Sequence, residues 1–534
     1  MTKTYDSVII GAGHNGLVCA AYLAKAGQSV LVLEVNAFLG GAASTGEFFP
    51  GFKASRVAHL LHGFPSSVID ELNLHQHGLQ FAASHICTHA LNDTSAPAVQ
   101  ISRGDVAHLP DECAADRLRY RQFIEQMDRF ASVLQVLNEQ SPSRIIPSNW
   151  RERWQLLKAG IKLRLLGRDE MREFLRIAGM NVYDLLQEKF QSDVLKGALA
   201  FDATLGADQG PRSPGTVLNY LQRWAAQRDA ARHGTVQING GVGALSSAIA
   251  HSAQQAGAEI RLSVRVKRVL VENDRACGVE LDSGEQVLAQ HIISNSDPKT
   301  SYLHLLGVRH LDTGFVRRIA HYRCKGLTAK LHLALTQLPV FKSLAATALG
   351  QRLVIAPSLN FVEQAFNPSK YGELPSQPVM ELHFPTVNDA SLAPSGQHVM
   401  SAIVQFVPFT LRDANVDTRA QFVQNLLTEL ELYAPGLSKL VLHAELLFPG
   451  DIAEQFNLHG GHWHHGALAF DQFYFTRPVP GAAQYQSPVA GFYLCGAGQH
   501  PGGGVMGIAG QLAAQCVISQ HVKLAATVKT GVST

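Results

Sequence analysis

Residues 5–34 read YDSVIIGAGHNGLVCAAYLAKAGQSVLVLE. Val8-Ile9-Ile10 is a short β-branched run of the kind that a strand buried on both faces requires. It breaks at Gly11-Ala12-Gly13-His14-Asn15-Gly16, and Leu17 to Ala26 then has the pattern of an Ala-rich helix stopped by Gly27. A second apolar run, Val30 to Leu33, ends in Glu34. This is a G-x-G-x-x-G turn in a strand–turn–helix–strand setting, with an acid about 20 residues on. Gly11 permits the tight turn, Gly13 lets backbone approach a pyrophosphate, and Gly16 lets helix and strand pack closely. The helix start offers unpaired N–H groups to phosphates, and Glu34 can accept from ribose hydroxyls. The stretch predicts a dinucleotide-binding βαβ unit at the head of an α/β fold.

Working outward, 534 residues exceed one ordinary core, so two or more domains are expected. A hydrophobic content of 46% with 16% charged residues is globular, and a formal net charge of +2 gives no drive toward nucleic acid. Seven cysteines are scattered without a C-x-x-C, which argues against a redox disulfide or thiolate metal site and fits a reducing compartment. The N-terminus runs almost directly into the first strand, so no signal peptide is expected, nor does any apolar run reach the length of a membrane span. A cytoplasmic protein follows, with peripheral contact to a membrane as its further option.

After Glu34, Leu39-Gly40-Gly41-Ala42-Ala43-Ser44-Thr45 brings backbone close to the middle of a long cofactor, which suits FAD. PGFKASRVAHLLHGFP then offers Arg56, His59 and His62 among apolar residues. From about Asp111 to Ala231 the pattern is helical. Within it, Asn149 to Ile177 interleaves Arg151, Arg153, Lys158, Lys162, Arg164 and Arg168 with Trp150, Trp154, Leu156, Leu157, Ile161, Leu163, Leu165 and Leu166. Such a basic amphipathic helix either lies on an anionic membrane or is a solvated outer face. NGGVGAL at 239–245 precedes another helix, but strands at 260–269, a hairpin with turns at Gly278-Val279 and Asp282-Ser283-Gly284, and a returning strand Ile292 to Ser294 follow. That order predicts a β-meander rejoining the first sheet, not a second nicotinamide domain. Strands are expected at Lys330–Leu335, Val379–His383 and His398–Phe406, and a helix at Arg419–Tyr433. His459, His462, His464 and His465 lack carboxylates or cysteines at ligand spacing, so no metal is assigned to them. They read as a polar lining of a substrate cavity, while Phe470, Phe473, Tyr474 and Phe475 read as pocket wall or core strand. Finally Phe492 to Cys495 reads as a strand, and the glycine loop through Gly504 opens a helix from Val505.

GAGHNG with Glu34, LGGAAST followed by PGF, NGGVGAL, FDQFYFTRPVPG and LCGAGQHPGGGVMG together resemble FAD-dependent phytoene desaturase-like oxidoreductases. Within that group they look like the subgroup of pyridine nucleotide-disulphide oxidoreductase domain-containing protein 2 and its bacterial relatives. The resemblance implies a Rossmann-type FAD-binding domain, like that of glutathione reductase and the amine oxidases, built from discontinuous segments at 1–75, 235–305 and 485–534. It implies an α+β substrate domain at 76–234, with a helical cap, and 306–484. It implies FAD contacts from Gly11, Gly13, His14, Asn15, Gly16, Glu34, Gly40, Gly41, Ala42, Val266, Gly496 and Gln499, and from the Pro501–Met506 loop with Gly504, Val505 and Met506. Ala42 departs from the Arg usual after the glycine pair, which leaves carotenoid desaturation unassigned. The expected activity moves a hydride between an apolar, isoprenoid- or lipid-like substrate and the flavin, with Arg56, His59, His462 and Tyr474 as candidate catalytic residues. Without a nicotinamide domain, electrons would leave to oxygen, a quinone or a protein. An amine oxidase and a non-catalytic flavin-binding interaction protein are the alternatives.

Overall fold

The computed structural model describes residues 4–144, 146–147, 150–230 and 232–530. Asn149 and Ala231, each the end of a stretch singled out above, lie outside them. At the centre of the first sheet, Thr4–Ile10 runs parallel to Val30–Leu33 on one side and Gln286–Ser294 on the other. Glu259–Arg261 extends the sheet beyond Val30–Leu33, and Phe492–Leu494 pairs with the far half of Gln286–Ser294, both again parallel. Three remote chain segments thus meet in one parallel layer. Val8, Ile9, Val30 to Leu33, Ile292 and Ile293 are buried, as a sheet covered on both faces demands. Helices His14–Lys25, Gly243–Gln255 and Ile508–Thr530 supply one cover through a core containing Leu17, Leu23, Leu245, Ile249 and Leu512. The other face packs Val8, Leu31 and Ile292 against Tyr302, Leu305 and Phe315.

The meander Val266–Glu272, Arg275–Leu281, Gln286–Ser294 rejoins this sheet as expected. One of its turns is displaced. Gly278 and Val279 lie mid-strand opposite Leu288 and Val287, and the first turn is Asn273-Asp274, with φ of +47° and +59°. Asn and Asp tolerate the left-handed region well enough to form a two-residue hairpin without glycine. The C-terminal helix also starts later than Val505, at Ile508.

The second sheet is mixed and eight-stranded. Its spatial order is 441–447, 328–335, 398–405, 380–383, 352–355, 88–90, 99–101 and 106–107. Period two governs its two faces. Leu331, Leu333, Leu335, Met380, Leu382, Met400 and Val404 pack with Phe422, Leu426 and Leu430 of the helix Thr418–Tyr433. The alternate positions Lys330, His332, Glu381, His383 and Ser401 point the other way and are at most 1% exposed. A helical cap completes this half around Phe130, Leu195, Phe201 and Leu221. The basic stretch near Trp150 is two helices, Trp150–Leu165 and Arg168–Ala178, because Gly167 breaks the first and caps the second.

Candidate functional site

The turn after the first strand is built to approach a ligand with backbone. Gly11 has φ +99°, and a Cβ on Gly16 would stand 2.3 Å from the Gly11 carbonyl oxygen. The side chain of Asn295, at the end of the returning strand, lies over Gly11, Gly13 and Gly16, and its own N–H donates to the Ile10 carbonyl at 2.8 Å. Glu34 is 5% exposed and accepts from the N–H groups of Ala12 (2.6 Å) and Asn36 (2.9 Å). Burial raises its pKa against the pull of those donors. Gly40 donates to the Ala12 carbonyl and pairs with Gly13, so the second glycine stretch lies against the first. A pocket of about 800 Å³ opens here, lined by Gly11, Leu33, Val35 and Val266 and continuing to Lys299 and His459.

A second, smaller cavity of about 160 Å³ lies between the cofactor half and the polar face of the second sheet. His14, Ala42, Gly504, Val505 and Met506 form one wall, Leu60, Leu205, Ile403, Trp463 and Leu468 add apolar surface, and His59, Asp202, Arg223 and Glu381 form a charged corner. In that corner His59 Nε2 sits 2.8 Å from Glu381 Oε1 and Nδ1 sits 2.7 Å from Lys330 Nζ. Arg352 bridges Glu381 and Asp202, at 2.6 Å to each, and Arg223 reaches Asp202 at 3.4 Å. Burial lowers the His59 pKa to about 4, with Lys330 adding to the effect. Burial likewise pushes Lys330 well below its ordinary value despite Glu381. Glu381 is itself disfavoured as an anion by burial, yet Arg352 and His59 hold it well below the usual carboxylate range. At neutral pH the imidazole is therefore neutral: Nε2–H donates to Glu381, and Nδ1 accepts from Lys330 Nζ.

The predicted residues separate in space. Gly11 and Val266 share the large pocket, whereas His14, Ala42, Gly504, Val505 and Met506 share the inner cavity with His59. Asn15 is buried on the glycine-turn helix. Gly496 lies against the carbonyl of Asn295 and the ring of His465, and Gln499 is 1% exposed. The other three candidate catalytic residues stand outside the lining of the inner cavity. Arg56 pairs with Glu445 at 2.8 Å and joins the first segment to the second sheet. His462 accepts from the backbone N–H of His464, and burial takes its pKa to about 3. Tyr474 accepts from the Ser143 N–H at 3.4 Å and sits edge-on to His500. The aromatic stretch is not a strand but two short 3₁₀ turns, with Phe470 and Phe475 facing outward at 65% and 40% exposure. Of the four histidines, His464 lines the inner cavity and His459 the large pocket.

NGGVGAL proves to be an internal joint. The N–H groups at its helix start are taken by Asp389 (to Gly240), Ser55 (to Val242) and Thr45 (to Gly243), which leaves them turned to protein. Residues absent from the sequence-based candidates are Asn295, Lys330, Arg352, Glu381, Asp202 and Arg477. The signal for Lys330 and Glu381 was present as charge alternating with Leu inside otherwise apolar strands. Arg477 is 1% exposed and donates to the carbonyls of His464, Ala467, Ala497 and Gln499, which fixes the C-terminal glycine loop.

These features fit the expected FAD. The glycine turn has no room for a side chain, a buried carboxylate stands at the end of the second strand, and residues of the cofactor half line both pockets. Two residues that line the inner cavity carry buried polar atoms without a protein partner, His14 at Nε2 and Trp463 at Nε1. The family model of the flavin-containing amine oxidoreductases matches residues 16–518. Pyridine nucleotide-disulfide oxidoreductase domain-containing protein 2 of Mus musculus is 35% identical, covering 96% of this chain and 93% of that protein. A limonene dehydrogenase chain of Castellaniella defragrans is 24% identical, covering 94% and 92%. Among solved structures, cyclohexylamine oxidase from Brevibacterium oxydans has the same fold, with a TM-score of 0.60 at 15% identity over 97% of this chain and 99% of that one.

Proposed function

The chain belongs to the flavin-containing amine oxidoreductases, and from that premise we propose a dehydrogenase of the desaturase kind, acting on an apolar, isoprenoid- or lipid-like substrate in the inner cavity. Its cofactor is FAD, which when bound supplies a hydride-accepting centre. Gly11, Gly16, Glu34 and Val266 would hold the adenosine half, and Ala42 with Gly504, Val505 and Met506 would flank the flavin end. The observation that carries the proposal is the mainly apolar cavity that the Gly504–Met506 wall shares with a single charged corner.

Removing a hydride from carbon leaves a neighbouring centre that must lose a proton, and that proton needs a base inside a site closed to water. His59 is the charged-corner residue whose ring nitrogens are both set. His59 takes the proton at Nδ1 as the Lys330 N–H that this nitrogen accepts in the resting site turns away, while Glu381 on Nε2 stabilises the imidazolium. The limonene dehydrogenase likeness supports a hydrocarbon substrate. Asp202 and Glu381 are balanced by Arg223 and Arg352, two of each sign, so the corner offers a substrate no net charge. A non-catalytic interaction protein would have no use for an apolar cavity beside its flavin. Because the NGGVGAL helix start is turned to protein, the returning electrons are assigned to an external acceptor: oxygen, a quinone or a protein.

The test is anaerobic mixing of the yellow protein with terpenes, alkenes, lipid alcohols and amines while following flavin absorbance. Bleaching by an apolar compound is expected. His59→Gln should slow that bleaching by roughly 10²–10⁴-fold at unchanged FAD content. Since His59 titrates near 4, the wild-type rate should hold level above about pH 5 and fall on acidification as Nδ1 fills. Bleaching by amines alone, or a His59→Gln protein as fast as wild type, overturns the assignment.

A further inference from the structure

The helix Trp150–Leu165 has two apolar stripes, and protein covers one of them. Leu163 packs against the core of the helical cap, as does Leu166 just beyond the helix. At about 100° per residue, Gln155 and Ala159 share that inward side, while Trp150, Trp154, Leu157, Ile161 and Leu165 fall within about 80° of arc on the opposite side. These five are 74%, 44%, 48%, 46% and 76% exposed. Ile146, 83% exposed, precedes them, and with Phe475 and Arg144 it lines an open groove of about 650 Å³. Scattered apolar residues on a surface mean little, but five large side chains in one unbroken line mark a docking face.

Charge decides what docks there. Between Trp150 and Leu166 stand Arg151, Arg153, Lys158, Lys162 and Arg164 against a single acid, Glu152. By the same helical angle, Lys158 and Lys162 flank the stripe on one side and Arg153 and Arg164 on the other. Lys158 Nζ lies 5.9 Å from the Trp154 ring, so its stem runs beside the aromatic while its charge stays at the rim. A second copy of the chain meeting this face about a two-fold axis would bring two cationic rims together, which like-charge repulsion opposes. An apolar line with tryptophans, bordered by lysine and arginine, matches the interface of an anionic bilayer: side chains enter the acyl boundary and ammonium and guanidinium groups meet lipid phosphates. Among the described residues no helix is long and apolar enough to cross a membrane. We infer that this helix lays the protein flat on an anionic lipid surface, seated by Trp150, Trp154, Leu157, Ile161 and Leu165.

The experiment is co-sedimentation of the FAD-loaded full chain with phosphatidylcholine vesicles, and with vesicles in which a third of that lipid is phosphatidylglycerol. Binding to the anionic vesicles is expected, weakened by salt, with a blue shift of tryptophan emission. Leu157→Glu with Ile161→Glu, both exposed positions, should abolish it. Lys158→Glu with Lys162→Glu should weaken it roughly tenfold or more while leaving flavin absorbance unchanged. This charge pair alone decides the matter if the first variant loses its flavin. Three results would overturn the inference: wild type left in the supernatant with anionic vesicles, equal binding to both vesicle types unchanged by the charge pair, or a solution dimer that Leu157→Glu with Ile161→Glu splits without any lipid binding.

Discussion

The glycine turn around Gly11–Gly16 and the polar face of the second sheet both meet the inner cavity, yet they are organised by opposite means. In the first, backbone does the work: N–H groups of Ala12 and Asn36 hold Glu34, and close approach excludes side chains. In the second, side chains do it: Asp202, Arg352, Glu381, His59 and Lys330 satisfy one another across five chain segments. A backbone-built site tolerates little change at fixed local spacing. A side-chain network tolerates any sequence separation but punishes the loss of one member.

The largest effect should therefore come from breaking the network. Glu381→Ala leaves Arg352 half-paired and His59 without its acceptor in a fully buried setting. Removing one partner of such a pair costs about 3–5 kcal/mol, read as a fall in thermal midpoint of the FAD-loaded protein. The same substitution joined to Arg352→Met should cost less than Glu381→Ala alone, because the stranded guanidinium is gone. If the double variant is the weaker one, the five residues are not acting as a unit and the contrast between the two regions fails.

Gly16→Val comes next. Its Cβ would meet the Gly11 carbonyl at 2.3 Å with Asn295 at 3.0 Å behind it, so the turn must shift. Overpacking of about 1–3 kcal/mol should appear mainly as lost FAD, giving pale protein whose second sheet still folds. A protein as yellow as wild type would show that the turn can yield, and backbone rigidity would no longer distinguish the two regions.

That contrast also explains what could be read from the chain. Gly11, Gly13, Gly16 and Glu34 are close in sequence because one turn, one helix and one strand position them, so their spacing carries the chemistry. The meander was legible for the same reason, although its Asn273-Asp274 turn was hidden by the expectation that glycine makes hairpins. Lys330 and Glu381 were visible as letters inside correctly placed strands, but nothing local links residue 330 to 381, 352, 202 or 59. Arg56, His462 and Tyr474 drew attention by residue type, and each has a partner away from the inner cavity. Residue type without tertiary context points as readily to a joint as to a site.

The smallest effect sharpens the comparison from the cofactor side. Glu34 is a buried carboxylate whose burial raises its pKa and whose two N–H partners offset that penalty. Glu34→Gln keeps one acceptor for Ala12 or Asn36, turns an amide N–H₂ toward the other, and removes the cost of burying charge. Losing one hydrogen bond and gaining that relief should nearly cancel, leaving stability within about 1 kcal/mol of wild type. A ribose hydroxyl that donates to a carboxylate loses a charge-assisted bond, which should weaken FAD binding about tenfold. Thermal unfolding of the FAD-free chain beside flavin titration separates the two terms. A large loss of stability with unchanged affinity would mean that Glu34 serves the turn rather than the ligand, and that both regions are structural networks of one kind.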